Sequence, residues 1–285
     1  MAGLNVEQTK QQEFAVVMLQ ELKEEKASNL IDYAEKATVS GADTYTFYRL
    51  GESGVGNGTL NMYADTYQGT GGTAEKVACT IEYVYAHDKI GLKQVKSTQL
   101  NLENSYIKSL SDALRRNCDK VILSAINAKT SNLKKIGDSQ KDITDDANVT
   151  ALIKSVAYAS TLVNESSVSD GRSGVAIVLD TAQYAQLFGV DKVLNSQYPS
   201  VNEIRTRNSL FGADVVKVAS ATKGTEKIYI IPAGTIGVAS YENDIDAKAW
   251  WDDGQDSLFC RVRRSLGVAV LEPESIFEFS HKAIA

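Results

Sequence analysis

The chain has 285 residues, 43% of them hydrophobic and 23% charged, with a net charge of −6. That length buries a sizeable core in one or two domains. The composition excludes a disordered chain, and the acidic surplus excludes a dedicated nucleic-acid binder, whose basic field would release counterions from phosphate. No apolar run nears the roughly 20 residues of a membrane span. The run at 14–19 has neither the basic flank nor the cleavage site of a signal peptide, so synthesis and retention in the cytoplasm are expected.

Residues 7–36 predict an amphipathic helix. Phe14, Val17, Met18 and Leu22 share one side, the charges of QELKEEKASNLIDYAEK fill the other, and residues 38–43 form a polar stop. Such a helix needs a surface to lie against, in its own domain or on a neighbouring chain. Residues 43–50, DTYTFYRL, then alternate as a strand with Tyr45 and Phe47 on one face. Residues 75–85, EKVACTIEYVY, alternate more strongly, placing Val77, Cys79, Ile81, Tyr83 and Tyr85 on one face.

Between these strands the chain reads GESGVGNG at 51–58 and GTGG at 69–72. The first stretch is two letters from a phosphate-binding P-loop, but Asn57 and Gly58 stand where the loop's Lys and hydroxyl residue must be. Without them nothing reaches the β- and γ-phosphates or holds Mg²⁺. No amphipathic helix follows to aim its N-terminus at an anion. The stretch is a glycine-rich excursion between two strands, long enough to imply a functional loop. Tyr48, Tyr63 and Tyr67 suit a wet contact with a partner.

Residues 98–129 predict a helix roughly 45 Å long at 1.5 Å per residue. Leu102, Tyr106, Leu110, Ala113, Cys118, Val121 and Ala125 run down one side, with Ile107, Leu114, Ile122 and Ile126 beside them. A second helix is predicted over 147–163, a buried strand over 173–180, and a short helix from Thr181. Strands follow in FGADVVKVAS, KIYIIPAG, TIGVASY and LFCRVRRSLGVAVLEP. Helices and strands mixed without a regular βαβ repeat indicate an α+β fold.

Catalytic motifs are missing from the sequence. His87 and His281 lack a nucleophile partner motif and read as surface residues, so no catalytic residue is assigned. Cys79, Cys118 and Cys260 lack metal spacing and read as buried free thiols. Asp252, Asp253 and Asp256 resemble the start of a calcium loop. Ser257 and Arg263 occupy the positions where Gly and Glu are required, so a charged turn is expected and no metal or cofactor site is assigned. Adjacent strand residues face opposite ways, so of Trp250 and Trp251 one ring enters the core and one, taken as Trp251, anchors a contact.

The order of these parts resembles the major capsid proteins of tailed bacteriophages with the Hong Kong 97 fold. SYIKSLSDALRRNCDKVILSAI (105–126) resembles the spine helix; GVAIVLDTAQYAQL (174–187) and SLFGADVVKVAS (209–220) resemble the axial domain. IYIIPAGTIGVASY (228–241) and RRSLGVAVLEPESIFEF (263–279) resemble the return to the peripheral sheet. The resemblance implies an N-terminal arm (1–40), an extended loop (41–90), a peripheral domain (91–145 and 235–285) and an axial domain (146–234). It implies no enzyme, but a subunit that tiles an icosahedral shell as pentamers and hexamers around double-stranded DNA. An encapsulin-type nanocompartment enclosing cargo protein is the alternative. The implied contact residues are Tyr48, Gly51, Gly54, Gly56, Gly58, Tyr63, Tyr67 and Trp251, on a loop whose glycines let it change curvature. The implied partners are further copies of itself, a portal, a separate scaffolding protein and weakly held DNA, with no membrane. The implied location is the virion, assembled in the host cytoplasm. No motif fixes the Lys, Asn and Glu of the cross-linking relatives, so no covalent link is assigned.

Overall fold

The structure is a computed structural model describing residues 30–50, 74–91, 102–136, 142–165, 174–188, 190, 209–218, 226–242, 244–252, 254 and 257–282. In chain order its strands are β1 (Glu35–Val39), β2 (Thr44–Leu50), β3 (Ala74–Thr80) and β4 (Glu82–Gly91). Helix α1 (Leu102–Ala128), β5 (Lys134–Lys135), α2 (Asp146–Glu165), β6 (Val175–Leu179) and α3 (Thr181–Phe188) follow. The remainder is all strand: β7 (Ser209–Leu210), β8 (Ala213–Lys217), β9 (Lys227–Pro232), β10 (Ile236–Tyr241), β11 (Ile245–Asp252), β12 (Ser257–Val270) and β13 (Phe277–Ser280).

Two sheets organise these elements. The first runs β1-β10-β12-β11, with β4 also paired to β12. The second runs β5-β13-β9-β6-β8-β7. Helix α1 lies across β4 and β12. Its buried stripe of Leu114, Cys118, Ile122 and Ile126 meets Ala86, Ile90, Cys260 and Val262 in one cluster. At about 1.5 Å per residue the helix is about 40 Å long, too long for one local contact. The same cluster takes in Ala176, Val178, Tyr229 and Ile231 from the second sheet. The opposite side chains of those strands, Val175, Ile177, Ile228 and Ile230, join Leu152 and Val156 of α2 in a second cluster. Covered on both faces, β6 is buried at every position, as an unbroken run of Val, Ala, Ile and Leu requires.

A reciprocal cap starts α3. The Asp180 carboxylate accepts the Gln183 N–H at 2.7 Å while the Asp180 N–H donates to Gln183 Oε1 at 3.0 Å. The Gln183 amide nitrogen donates to the Lys227 carbonyl and also meets His281 Nε2. His281 is therefore wholly buried, not at the surface as its place near the end of the chain suggests.

Three further expectations change. Residues 31–36 do not continue a helix: Ile31–Tyr33 is one 3-10 turn and β1 follows, parallel to β10 with Glu35 opposite Gly237. Pairing with β10 overrides a helical charge pattern that local reading cannot distinguish from an exposed edge strand. Residues 7–29 lie outside the described residues. The long strand read over 75–85 is two strands, broken at Ile81. The first pairs β2 and the second pairs β12. The break changes the phase, so Cys79 and Ile81 are buried while Tyr83 and Tyr85 are half exposed. Finally, the sequence reading groups 277–280 with the strands before it, whereas β13 pairs antiparallel with β9 in the second sheet.

Candidate functional site

The strands flanking the glycine-rich stretch form an antiparallel pair, from Thr44 opposite Thr80 to Leu50 opposite Ala74. Residues 51–73 therefore leave and re-enter the described structure at one place. The inner face of this two-stranded stalk carries Phe47 and Cys79. They pack with Val39, Ile81, Ala239, Ala269 and Leu271 in a third cluster, with Tyr45 and Tyr241 at its margin. Tyr45 meets Phe47 edge to face, centroids 4.8 Å apart.

Two glycines of the first sheet let the stalk come this close. A Cβ at Gly237 would stand 2.7 Å from Phe47 Cζ. A Cβ at Gly267 would stand 3.0 Å from the Thr80 carbonyl oxygen and 3.2 Å from Cys79 Sγ. The missing side chains are thus the seat of the stalk. Asp43 secures its foot: its carbonyl accepts the Ile81 N–H and its carboxylate accepts the Tyr241 hydroxyl, both at 2.8 Å. That carboxylate raises the phenol's pKa, because ionising the tyrosine would lose the bond and add a like charge.

Away from the seat, Tyr48 is 66% exposed, with the Lys76 ammonium over its ring, 5.7 Å from the centroid. Among the expected contact residues it is the one whose side chain is described. Gly51, Gly54, Gly56, Gly58, Tyr63 and Tyr67 lie outside the described residues. The backbone of Trp251 belongs to β11, but its side chain lies outside the described residues as well. Its neighbour Trp250 is half exposed and stacks on Phe259 with 9° between the planes.

The face of β4, β12 and β11 turned away from α1 carries a set of cations over aromatic rings that sequence reading did not assemble. Lys89 lies over Phe259, Arg261 over Trp250 and Arg263 over Tyr83. Register brings them together, since Phe259 lies opposite both Lys89 and Trp250. The signal was in the alternation of Phe259, Arg261 and Arg263, but the partner strands cannot be read from one strand alone.

Among the described residues no group of three His, Cys, Asp or Glu side chains could hold a metal ion. Asp252 instead accepts the Gly254 N–H at 3.0 Å in a local turn. All three cysteines are free and buried, and burial pushes the Cys118 and Cys260 thiols up to about 12. Thiols held protonated there are not nucleophiles.

No family model and no curated protein matches the sequence. Solved structures do match the fold. The chain is similar to a virus-like particle from Pyrococcus furiosus, with TM-score 0.61 and 14% identity, covering 94% of this chain and 98% of that one. It is also similar to the capsid of cyanophage P-SCSP1u, with TM-score 0.62 and 14% identity over 90% and 89% of the two chains. Mycobacterium phage Che8 gives TM-score 0.57 and 16% identity over 84% of each. At such identities the likeness is one of fold: the chain has the Hong Kong 97-like fold that the order of its sequence elements indicated.

Proposed function

We propose that this protein is the major capsid subunit of a tailed bacteriophage and that its activity is self-assembly into a closed icosahedral shell around double-stranded DNA. The observation carrying this reading is a shell-protein fold spanning 94% of the chain, with almost the whole of the matched particle subunit covered. The work falls to surfaces rather than to a catalytic centre. We propose the division into parts on sheet membership. The first sheet with α1 is the peripheral domain. The second sheet with α2 and α3 is the axial domain, which also takes β5 and β13. The β2–β3 stalk with residues 51–73 is the extended loop.

In this reading the loop reaches over a neighbouring subunit. The glycines at 51, 54, 56 and 58, with Tyr48, Tyr63, Tyr67 and Trp251, form contacts that adapt to different positions in the shell. Many modest contacts, each reversible, favour error correction during assembly and jointly stabilise the closed particle. Portal and scaffolding proteins, and DNA held by weak non-specific contact, are the proposed partners. The virion is the proposed location, reached after assembly in the host cytoplasm.

Likeness to a virus-like particle also favours a second reading, a nanocompartment enclosing protein cargo. Negative-stain electron microscopy beside size-exclusion chromatography tests the shared part: closed shells, or pentamers and hexamers, are expected. Nuclease-protected DNA inside particles made in infected cells identifies a virus; protein cargo identifies the nanocompartment. Deleting residues 51–72 should leave a folded subunit that cannot close shells, and normal shells from that deletion would refute the role of the loop.

A further inference from the structure

Helix α1 uses one side for the core, where its buried stripe meets β4 and β12. Another side carries an exposed row at four-residue spacing: Lys108, Asp112, Arg116, Lys120 and Ser124. At about 1.5 Å per residue the row is about 24 Å long. Asp112 pairs with Arg115. Among the described residues no carboxylate forms an ion pair with Lys108, Arg116 or Lys120. Glu82, which lines a groove with Lys120, is no exception.

The row reverses the sign of an acidic chain. Residues 108–135 hold seven Lys and Arg against two Asp, although the whole chain carries −6. The second of those carboxylates, Asp119, is buried and accepts the Leu30 N–H at 3.3 Å, so it does not face solvent. A cationic rod on an acidic protein fits a polyanion. The chemistry of the row narrows the choice. Ser109 and Ser124, exposed beside the cations, add hydroxyl donors for phosphate oxygens. Residues 108–128 include no aromatic ring on which an unpaired base could stack. A duplex needs none. It presents one phosphate charge per about 1.7 Å of axis, about 14 along the length of the row. The cations on the far face of the first sheet are already engaged: Arg263 bonds Asp246 at 2.9 Å, and Lys89 and Arg261 lie over Phe259 and Trp250.

We propose that the outward side of α1 is the surface that meets duplex DNA, with Lys108, Arg116 and Lys120 on backbone phosphates and no base read. The inference rests on the shell reading for its partner and deepens it, since in the closed particle α1 then faces the enclosed duplex. A few phosphate contacts per subunit are weak singly, and repetition over many copies makes them effective.

The test uses the full-length unassembled subunit and a short fluorescent DNA duplex, titrated by anisotropy between about 50 and 200 mM salt. Lys108→Gln, Arg116→Gln and Lys120→Gln are introduced together; all three side chains are exposed, so the core is untouched. Each lost phosphate contact lowers the slope of log K against log salt by about 0.9, so this variant should lose about 2.7. An equal loss of charge elsewhere on the surface, Lys154→Gln, Lys217→Gln and Lys248→Gln, should leave the slope within about 0.5 of wild type. Equal losses in the two variants would reduce the effect to net charge and overturn the proposal. Wild-type protein that does not bind the duplex, or that binds single-stranded DNA as tightly, overturns it too. Polyglutamate competing as well as unlabelled duplex would assign the row to an acidic protein instead. Negative-stain microscopy of the same proteins scores shells separately. Wild-type shells with an unchanged slope in the first variant would sink the DNA surface alone, whereas failure of wild type to form shells would sink the shell reading.

Discussion

Substitution of Gly237 by Ala tests whether the stalk is held by close approach. The added Cβ would stand 2.7–2.8 Å from three atoms of the Phe47 ring, roughly 0.7 Å inside ordinary van der Waals contact. Phe47 is 4% exposed and wedged among Val39, Ile81 and Ala239, so the ring cannot retreat without moving the stalk. Overpacking of this kind costs about 1–3 kcal/mol. Phe47→Leu removes the clashing ring atoms and loses burial of three carbons, costing about 2.4 kcal/mol by itself at about 0.8 kcal/mol per buried carbon. The two effects should not add: Gly237→Ala placed on Phe47→Leu should cost at least about 1 kcal/mol less than on the wild type. Urea unfolding of the unassembled subunit gives the four free energies, and hydrogen exchange over 44–50 and 74–80 locates the change. Protection there should fall in Gly237→Ala while that of α1 stays constant. A neutral Gly237→Ala, or strict additivity with Phe47→Leu, would show that the seat is not set by this contact.

Further outcomes follow from burial and hydrogen bonding. Cys118 and Cys260, with thiols pushed up to about 12 by burial, should resist a thiol reagent at pH 8 and label only on unfolding; rapid labelling of the folded chain would contradict the packing of α1 on β12. The Asp142 carboxyl is held below its usual pKa by the Thr144 hydroxyl at 2.6 Å and the Thr144 N–H at 2.9 Å. With the folded value depressed, this contribution is present above the unfolded pKa of about 3.9 and is lost as pH falls through the folded value. Thr144→Ala should raise the midpoint of the Asp142 carboxyl carbon shift in an NMR titration, and an unchanged midpoint would remove the hydroxyl as the cause. Tyr48→Ala should leave the unfolding free energy within about 0.5 kcal/mol of wild type, as for an exposed side chain; the proposed contact predicts slower shell assembly by light scattering, and wild-type kinetics would exclude Tyr48 from it.

The parts legible in the sequence are those whose pattern depends on one element and one face. Helix α1 announces itself because Leu110, Leu114, Cys118, Ile122 and Ile126 repeat at helical spacing against a single core. Strand β6 is legible because burial on both faces leaves no polar position in VAIVL. What stays hidden depends on a second element. Nothing local distinguishes β1 from the end of a charged helix, since its parallel partner β10 lies about 200 residues away. The change of face at Ile81 is equally invisible. Either phase gives good alternation, and only the exchange of partner from β2 to β12 decides which tyrosines face outward. The candidate site divides in the same way. Glycines in a loop can be read from the sequence, whereas Gly237 and Gly267 look like weak points in strands until Phe47 and Cys79 are placed against them.

In the shell proposed above, that arrangement bears on how the loop serves many slightly different neighbours. A segment rich in glycine adapts at a cost in entropy, and it delivers useful contacts only if its base is fixed. Here the base is fixed three ways: by the seven-residue pairing of β2 with β3, by close packing on Gly237 and Gly267, and by the two hydrogen bonds of Asp43. These contacts fix the place where residues 51–73 leave and re-enter, at Leu50 and Ala74. Ordering a mobile base on contact would consume part of what a weak interface supplies. In the proposed shell, a fixed stalk confines that cost to the residues beyond it. Loosening the seat should therefore impair assembly even though no tip residue has changed.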